Sequence, residues 1–575
     1  MEKHGDGPFG FPETVRGMDF FSTDRLLQGF LRQSAPGLLQ RRQAELADFG
    51  LFCGTELDEQ AEYSDRIHPP VWKAMPEDLA RPGVRRGKVY FNRRYEDCHQ
   101  EVYRRGFINH AFDADNPEPH LYAFVAQYLI SQADISIGCP FAMTHPVAMV
   151  VARYAPEAVK ARFLHESTRA DGQTKTGGTW ATEKHSGSDV GGTETVASYQ
   201  KDGTVRLTGQ KWFASNADSG LVVATARPEG APDGGKGLGL YLVPSHVDAD
   251  WHIANNYEIT SLKEKLGTRA LATGEIDLNG ALAYEIAPPP DGLRVMMEAL
   301  GCSRVHNAMA AAGVMRRALN EALSWASNRE TFGQKLITRP MVQKRIIELA
   351  VEWMAGSAMA FEAAHCFDEA TKGADAYIWS RIVTALAKYK TAEQAVWCAQ
   401  KALSLVAGNG YTEDYPTARQ FRDAMVLPVW EGPEQIQALE LMRMIACKEP
   451  GDRVFFDHLT QIITELDTAG MQAEKDRLAH LAEALAQSFM ELRANPAQIE
   501  QVADVFLHNM ADILSYALLC RDAAREQKGD AGQIRLLVCG HYHDNLWNRA
   551  ATPSLTPSPL LVHFDTLMHE VYQLD

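Results

Sequence analysis

The stretch KALSLVAGNGYTEDYPTARQFRDAMVLPVWEGPEQIQALELMR, residues 401–443, decides how this chain reads. Near its end Trp430, Glu431 and Gly432 stand together, 20 residues past the run Ala407-Gly408-Asn409-Gly410 and behind Phe421-Arg422-Asp423-Ala424. A carboxylate between a large aromatic and a glycine, on a segment that reads as a turn, suits a base aimed into a pocket. The glycine lets backbone approach a ligand closely. The aromatic excludes water and strengthens the carboxylate as a base. Taken alone, Glu431 is an ordinary solvated loop residue; its company gives it weight.

Three further segments belong with it. They are Ala181-Thr182-Glu183-Lys184-His185-Ser186-Gly187-Ser188-Asp189, Gly209-Gln210-Lys211-Trp212-Phe213-Ala214-Ser215-Asn216, and Arg329-Glu330-Thr331-Phe332-Gly333. In order and spacing the four resemble the acyl-CoA dehydrogenase family: its "TEPxxGSD" loop, "GxKxWITN" strand, "RxxFG" element and catalytic "EG" pair. Lys263–Arg269 also resembles the family's "KxGxR" segment. The resemblance covers residues 60–445. It implies an α+β fold with an N-terminal helical domain and extension (1–175), a middle antiparallel, barrel-like β domain (176–290), a C-terminal four-helix bundle (291–449) and an additional helical domain (450–575).

The resemblance also implies FAD as cofactor and an acyl-CoA thioester as substrate. Thr182 and Ser188 fall at flavin and phosphate contacts, and Phe213 and Ser215 along the isoalloxazine, where Trp and Thr are commoner. Arg329, with Phe332, would reach the flavin pyrophosphate of a neighbouring subunit, since the planar guanidinium pairs with phosphate oxygens. Gly408, Asn409 and Gly410 would let the neighbouring backbone approach the cofactor, and Pro433 and Gln435 complete the flavin set. Arg304, Ser188, Trp430 and Gly432 fall on the substrate side. The chain departs from the family at Ser404 (usually Gln), Ala407 (Gly), Pro433 (Thr) and Arg339-Pro340 ("HQ"). The alternative base position of some branched-chain members holds Ser303, which cannot serve, so Glu431 is the sole candidate. Desaturation removes an α-proton and a β-hydride together, which requires a carboxylate on one side of the substrate and an oxidised flavin on the other. The Glu431 N–H, with a ribityl hydroxyl, would polarise the thioester carbonyl. Electron-transferring flavoprotein as acceptor and a homodimer or homotetramer follow from the same resemblance. The bulk of Trp430 favours short or branched acyl chains.

Periodicity supports this outline. Val205–Gly209, Leu221–Ala226 and Gly239–Val243 read as strands, closed off by Gly274–Leu278. Apolar residues recur at helical spacing through Leu121–Ile130, Val305–Ala326, Met341–Met354, Ile378–Tyr389, Leu478–Leu492 and Ile499–Leu519. With 575 residues, 45% hydrophobic and 23% charged, the composition is that of a large globular enzyme. No 18-residue apolar run or targeting segment stands out, so a cytosolic protein without a membrane partner is expected. Nine scattered cysteines suggest neither a metal nor a disulfide framework. Gly235-x-Gly237-x-Gly239 precedes a strand rather than joining strand to helix, and reads as a loop. His541-Tyr542-His543-Asp544 reads as a polar helix or loop face, and Cys139 as a pocket-lining thiol. No metal site is expected.

The tail beyond residue 450 exceeds the family's usual length. With Lys184, the Trp212-Phe213 pair and Trp430, it leans toward the larger branch that includes the bacterial alkylation-response protein AidB. Two other readings stay open: a DNA-associated flavoprotein of that kind, and a flavin oxidase. Net charge is −17, which disfavours nucleic acid. Residues 451–575 hold nine basic and 18 acidic side chains, a net of −9, with no Lys/Arg cluster. No appreciable duplex-DNA binding is expected in an anisotropy titration at about 150 mM salt, whereas sub-micromolar binding that weakens steeply with added salt would establish the DNA-associated reading.

Overall fold

The computed structural model describes residues 11–74, 87–113, 116–445, 450–526, 530–547 and 559–572. The Thr/Ser/Pro linker read at 552–559 lies outside the described residues except for Pro559. The chain forms two compact units. One comprises Glu56–Ile130 and Asp134–His306; the other comprises Met1–Thr55, Ser131–Ala133 and Asn307–Asp575.

The first unit is built on a seven-stranded sheet of Gly177–Trp180 (β1), Val196–Tyr199 (β2), Val205–Ser215 (β3), Leu221–Pro228 (β4), Gly239–Pro244 (β5), Tyr257–Leu262 (β6) and Thr273–Ala287 (β7). Strand β7 pairs antiparallel with β3, β5 and β6, and β4 pairs antiparallel with β5. Because β4 also pairs with β2, and β2 with β3, the ring β2-β3-β7-β5-β4 closes and removes its own edges. The expected antiparallel character holds except that β1 and β2 both run parallel to β4. Inward-facing Leu207, Val222, Tyr241, Ile276 and Leu278 fill the core with Trp180. A short antiparallel pair, Val71–Ala74 with Gly87–Tyr90, was not legible in the sequence; Trp72 Nε1 fastens it to the Ile259 carbonyl at 2.6 Å.

Two helices in this unit start where a side chain satisfies the first free N–H groups. Asn92 accepts from Tyr95 N to cap Arg93–Arg104, and Asp134 accepts from Ser136 N at 2.7 Å to cap Ile135–Tyr154. Among the described residues two helices, Ile135–Tyr154 and Pro496–Arg525, are long and apolar enough to cross a membrane, which corrects the expectation that no such run stands out. Within the protein 89% and 72% of those apolar windows are buried, so their faces are consumed by the core.

The second unit is helical. Its long helices are Pro340–Glu369, Ala374–Val406 and the later part of Gly292–Asn328, joined by Glu434–Arg443 and by the tail helices Gly451–Thr468, Gln472–Ala494, Ile499–Arg525 and Asp530–Trp547. Stripes read from the sequence fall on the first three of these helices and on Gln472–Ala494 and Ile499–Arg525; Glu434–Arg443, Gly451–Thr468 and Asp530–Trp547 had no such stripe, and His541–Asp544 lie within the last of them. Ion pairs wire the tail to the bundle: Lys390 to Asp512 at 2.5 Å and Glu362 to Arg521 at 2.8 Å. All seven described basic side chains of the tail pair with carboxylates: Arg453, Lys475, Arg477, Arg493, Arg521, Arg525 and Arg535. Fully buried Arg316 gathers distant segments. It donates to the carbonyls of Thr23 and Val571 at 2.8 and 3.1 Å, and its guanidinium lies over the rings of Trp353 and Tyr572.

Candidate active site

In the sheet unit the motif segments converge on a β-bulge. The β3–β7 register shifts between Lys211 and Ala214, leaving Trp212 and Phe213 outside the ladder. Bulges re-aim side chains beside functional sites. Here Phe213 adopts φ 54° and stands 59% exposed on the surface. Trp212 N donates to the Thr182 carbonyl at 2.9 Å, tying the bulge to the 181–189 loop. Thr182 and Ser215 are half-buried and Ser188 is exposed. A Cβ added at Gly187 would meet nothing within 4 Å, so the backbone there is open to an approaching group. The Lys263 ammonium sits 3.1 Å from the Trp212 ring centroid, and that of Lys184 5.4 Å.

Beneath this surface lies a buried ion pair that the sequence reading quoted only as motif letters. Lys211 Nζ donates to Glu183 Oε1 at 2.7 Å and to the Thr225 carbonyl at 2.8 Å. Glu183 also accepts from the Thr195 hydroxyl and the Glu194 N–H, at 2.5 and 2.7 Å. Burial alone would raise the Glu183 pKa, but the Lys211 ammonium and these hydrogen bonds outweigh it and hold the carboxyl below its ordinary value. Desolvation draws Lys211 below the usual lysine value despite its partner. Arg304 is buried in this unit, on the helix Gly292–Asn328.

In the helical unit, Trp430-Glu431-Gly432 occupies a turn between the helices Pro416–Ala424 and Glu434–Arg443. Glu431 has φ 58° and Gly432 φ 98°. A non-glycine residue persists there only when its surroundings over-determine it. Lys388, buried in Ala374–Val406, donates to the carbonyls of Pro428 and Gly432 at 3.1 and 2.6 Å. Gln437 Nε2 donates to the carbonyls of Glu431 and Gly432, and Trp430 Nε1 to Asn307 Oδ1 at 2.6 Å. Of these supporting residues Trp430 was read from the motif, whereas Lys388, Gln437 and Asn307 were not. The signal for Lys388 is a lysine inside the apolar stripe Ile378–Tyr389. The Pro433 carbonyl accepts from Ile436 N and Gln437 N at the start of the next helix, where Gln435 is exposed.

Elsewhere in this unit Arg329 is exposed and Phe332, at φ 52°, is 97% exposed. Gly408 and Asn409 are exposed as well. Gly410 is buried for an internal reason, since its Cβ would fall 2.6 Å from the Leu403 carbonyl oxygen. Ala407, at φ 63°, takes the helix C-cap where the family favours glycine. Seven described non-glycine residues have positive φ, and six of them lie in the motif segments: Phe213, Asn216, Thr268, Phe332, Ala407 and Glu431. Backbone strain is thus concentrated where the sequence placed function.

The sheet unit's surface fits a flavin dinucleotide. It combines a flat exposed aromatic wall, hydroxyls at Thr182, Ser188 and Ser215, nearby ammonium groups and an unobstructed glycine backbone.

Residues 11–169 match the AidB N-terminal domain of the adaptive response protein, 178–281 the acyl-CoA dehydrogenase middle domain, and 290–446 the acyl-CoA dehydrogenase C-terminal domain. The chain is 27% identical over 542 residues to acyl-CoA dehydrogenase family member 11 of Caenorhabditis elegans, covering 90% of this chain and 86% of that protein. It is 26% identical to the putative acyl-CoA dehydrogenase AidB of Escherichia coli, covering 73% and 76%. The crystal structure of C. elegans ACDH-11 in complex with C11-CoA superposes with a TM-score of 0.83 at 26% identity, covering 94% of this chain and 93% of that one.

Replacing Lys211 by Met strands a buried carboxylate, which typically costs about 3–5 kcal/mol. Thermal unfolding followed by tryptophan fluorescence should show a clearly lowered midpoint, and an unchanged midpoint would show that the pair is not structural. Because Glu183 is held low, its stabilising contribution is fully present above its ordinary value of 4.5 and is lost as pH falls below it.

Proposed function

Because the chain belongs to the acyl-CoA dehydrogenase family, whose members are FAD-dependent oxidoreductases acting on acyl-CoA thioesters, we propose that Glu431 is its general base. The observation that carries this is the Glu431 turn, a strained carboxylate position fixed by Lys388, Gln437 and Trp430. Glu431 takes the α-proton, and its own N–H polarises the thioester carbonyl. FAD, when bound, supplies the acceptor for the β-hydride. Trp212 and Phe213 wall the flavin, Thr182, Ser188 and Ser215 offer hydroxyls, and Arg304 binds on the substrate side. Pro433 and Gln435 add flavin contacts. Trp430 supports a short or branched acyl chain, whereas the relative solved with C11-CoA weighs toward a longer one. Anaerobic flavin bleaching with butyryl-, isovaleryl- and lauroyl-CoA separates the two. Electron-transferring flavoprotein is the proposed electron acceptor.

Glu431→Gln keeps the shape but cannot accept the proton. It should retain flavin and slow bleaching by about 10²–10⁴-fold. Bleaching at near wild-type rate would remove Glu431 from this role.

We further propose that a second copy of the chain completes the flavin site, in a homodimer or homotetramer. The exposure of Arg329, Phe332, Gly408 and Asn409 supports this. Arg329→Ala should lose FAD on dialysis, because a phosphate charge pair goes with it. Full flavin retention, or a flavin-saturated monomer by light scattering, would contradict the shared site. Likeness to AidB keeps a DNA-associated role in view. The complete pairing of the described basic side chains in the tail weighs against it.

A further inference from the structure

Three imidazoles and a thiol meet in the core of the sheet unit, and the desaturation chemistry uses none of them. His120 immediately precedes the helix Leu121–Ala133, and His145 lies within Ile135–Tyr154. Cys302 and His306 lie four residues apart on Gly292–Asn328, and so share one face. Cys302, His145 and His306 have no solvent exposure, and His120 is buried. His145 Nδ1 lies 2.9 Å from His306 Nε2 and 3.8 Å from Cys302 Sγ, and the three ligand atoms lie within 4.8 Å of one another. On its other side His145 Nε2 lies 2.8 Å from His120 Nδ1.

We propose that His145 Nδ1, His306 Nε2 and Cys302 Sγ form a binding site for one thiophilic d10 cation, Zn²⁺ or Cu⁺. Two groups converge on the single in-plane lobe of His145 Nδ1. A proton there serves one of them, whereas a cation between the three serves all. Metal–nitrogen bonds of about 2.0–2.1 Å and metal–sulfur bonds of about 2.3 Å separate ligand atoms by roughly 3.3–3.8 Å. The imidazole pair needs to open by only a few tenths of an ångström to reach that spacing. Thiolate with imidazole, and no carboxylate among the three, selects Zn²⁺ or Cu⁺ over Mg²⁺ or Ca²⁺. His120 supplies the outer support that ligating histidines require: His145 Nε2–H donates to it, which leaves Nδ1 unprotonated and aimed at the ion. Desolvation also holds all three imidazoles below the ordinary histidine pKa, so they enter the site neutral. Binding releases the Cys302 thiol proton to solvent. Its contribution is to hold the helix Ile135–Tyr154 against the Cys302–His306 face of Gly292–Asn328 within the sheet unit.

The test uses the FAD-loaded protein purified without metal-affinity steps and passed through gel filtration in EDTA. Mass-spectrometric metal analysis should find about one Zn or Cu per chain, and the element found distinguishes the two ions. Cys302→Ser and His306→Gln should bring metal below about a tenth of that level, and His120→Gln should weaken retention by about 10–100-fold, while flavin absorbance is preserved. Wild-type protein refolded with Co²⁺ should show thiolate-to-cobalt charge-transfer absorbance, a readout that depends on no variant. The proposal is overturned if wild-type protein carries less than about a tenth of an equivalent both as purified and after anaerobic refolding with Zn²⁺ or Cu⁺. It is equally overturned if the Co²⁺ protein lacks that absorbance, or if Cys302→Ser retains wild-type metal content.

Discussion

An ammonium group buried in a helical bundle must spend its donors on fixed acceptors, or the desolvation cost goes unmet. Lys388 meets that constraint by gripping the Pro428 and Gly432 carbonyls. The Glu431 turn is therefore one hydrogen-bonded body with the helix Ala374–Val406, rather than a loop laid over it. The direction in which the carboxylate points is inherited from the core. Gln437 holds the same turn from the following helix and Asn307 from a third, so no single helix can shift without moving the turn.

The sheet unit uses a related device. There Lys211 spans a carboxylate and the Thr225 carbonyl beneath the bulge that pushes Phe213 outward. In both units a backbone conformation that side chains disfavour is carried on a buried lysine.

Much of this was legible in the sequence, and the remainder was hidden for physical reasons. Alternation through Val205–Gly209 and the stripes from Val305 to Leu519 gave the strands and helices because each buries one face, and burial imprints a period. The motif segments named the strained residues because few sequences tolerate such backbone. The residues holding them were not legible: Lys388 sits in an apolar stripe that reads as simple core, and Asn307 meets Trp430 across 123 positions. The parallel pairing of β1 and β2 with β4 leaves no local trace, since pattern fixes a strand's faces but not its neighbours. The imidazole–thiol cluster likewise joins helices 157 residues apart, a spacing that no ligand motif encodes. The sequence reading had therefore expected no metal at all.

The Arg316 junction has a consequence for how the chain is made. Residue 24 forms a bridge with residue 572, Phe11 packs edge-on against Tyr572, and Arg316 binds carbonyls beside both ends of that bridge. On a ribosome adding about 5–20 residues per second, the early segment emerges on the order of a minute before its partner exists. Throughout that interval its aromatic side chains face water or a chaperone. The helical unit is closed only once residue 572 has been made, so a ribosome stalled short of it releases a bundle with the flank around residue 24 still open.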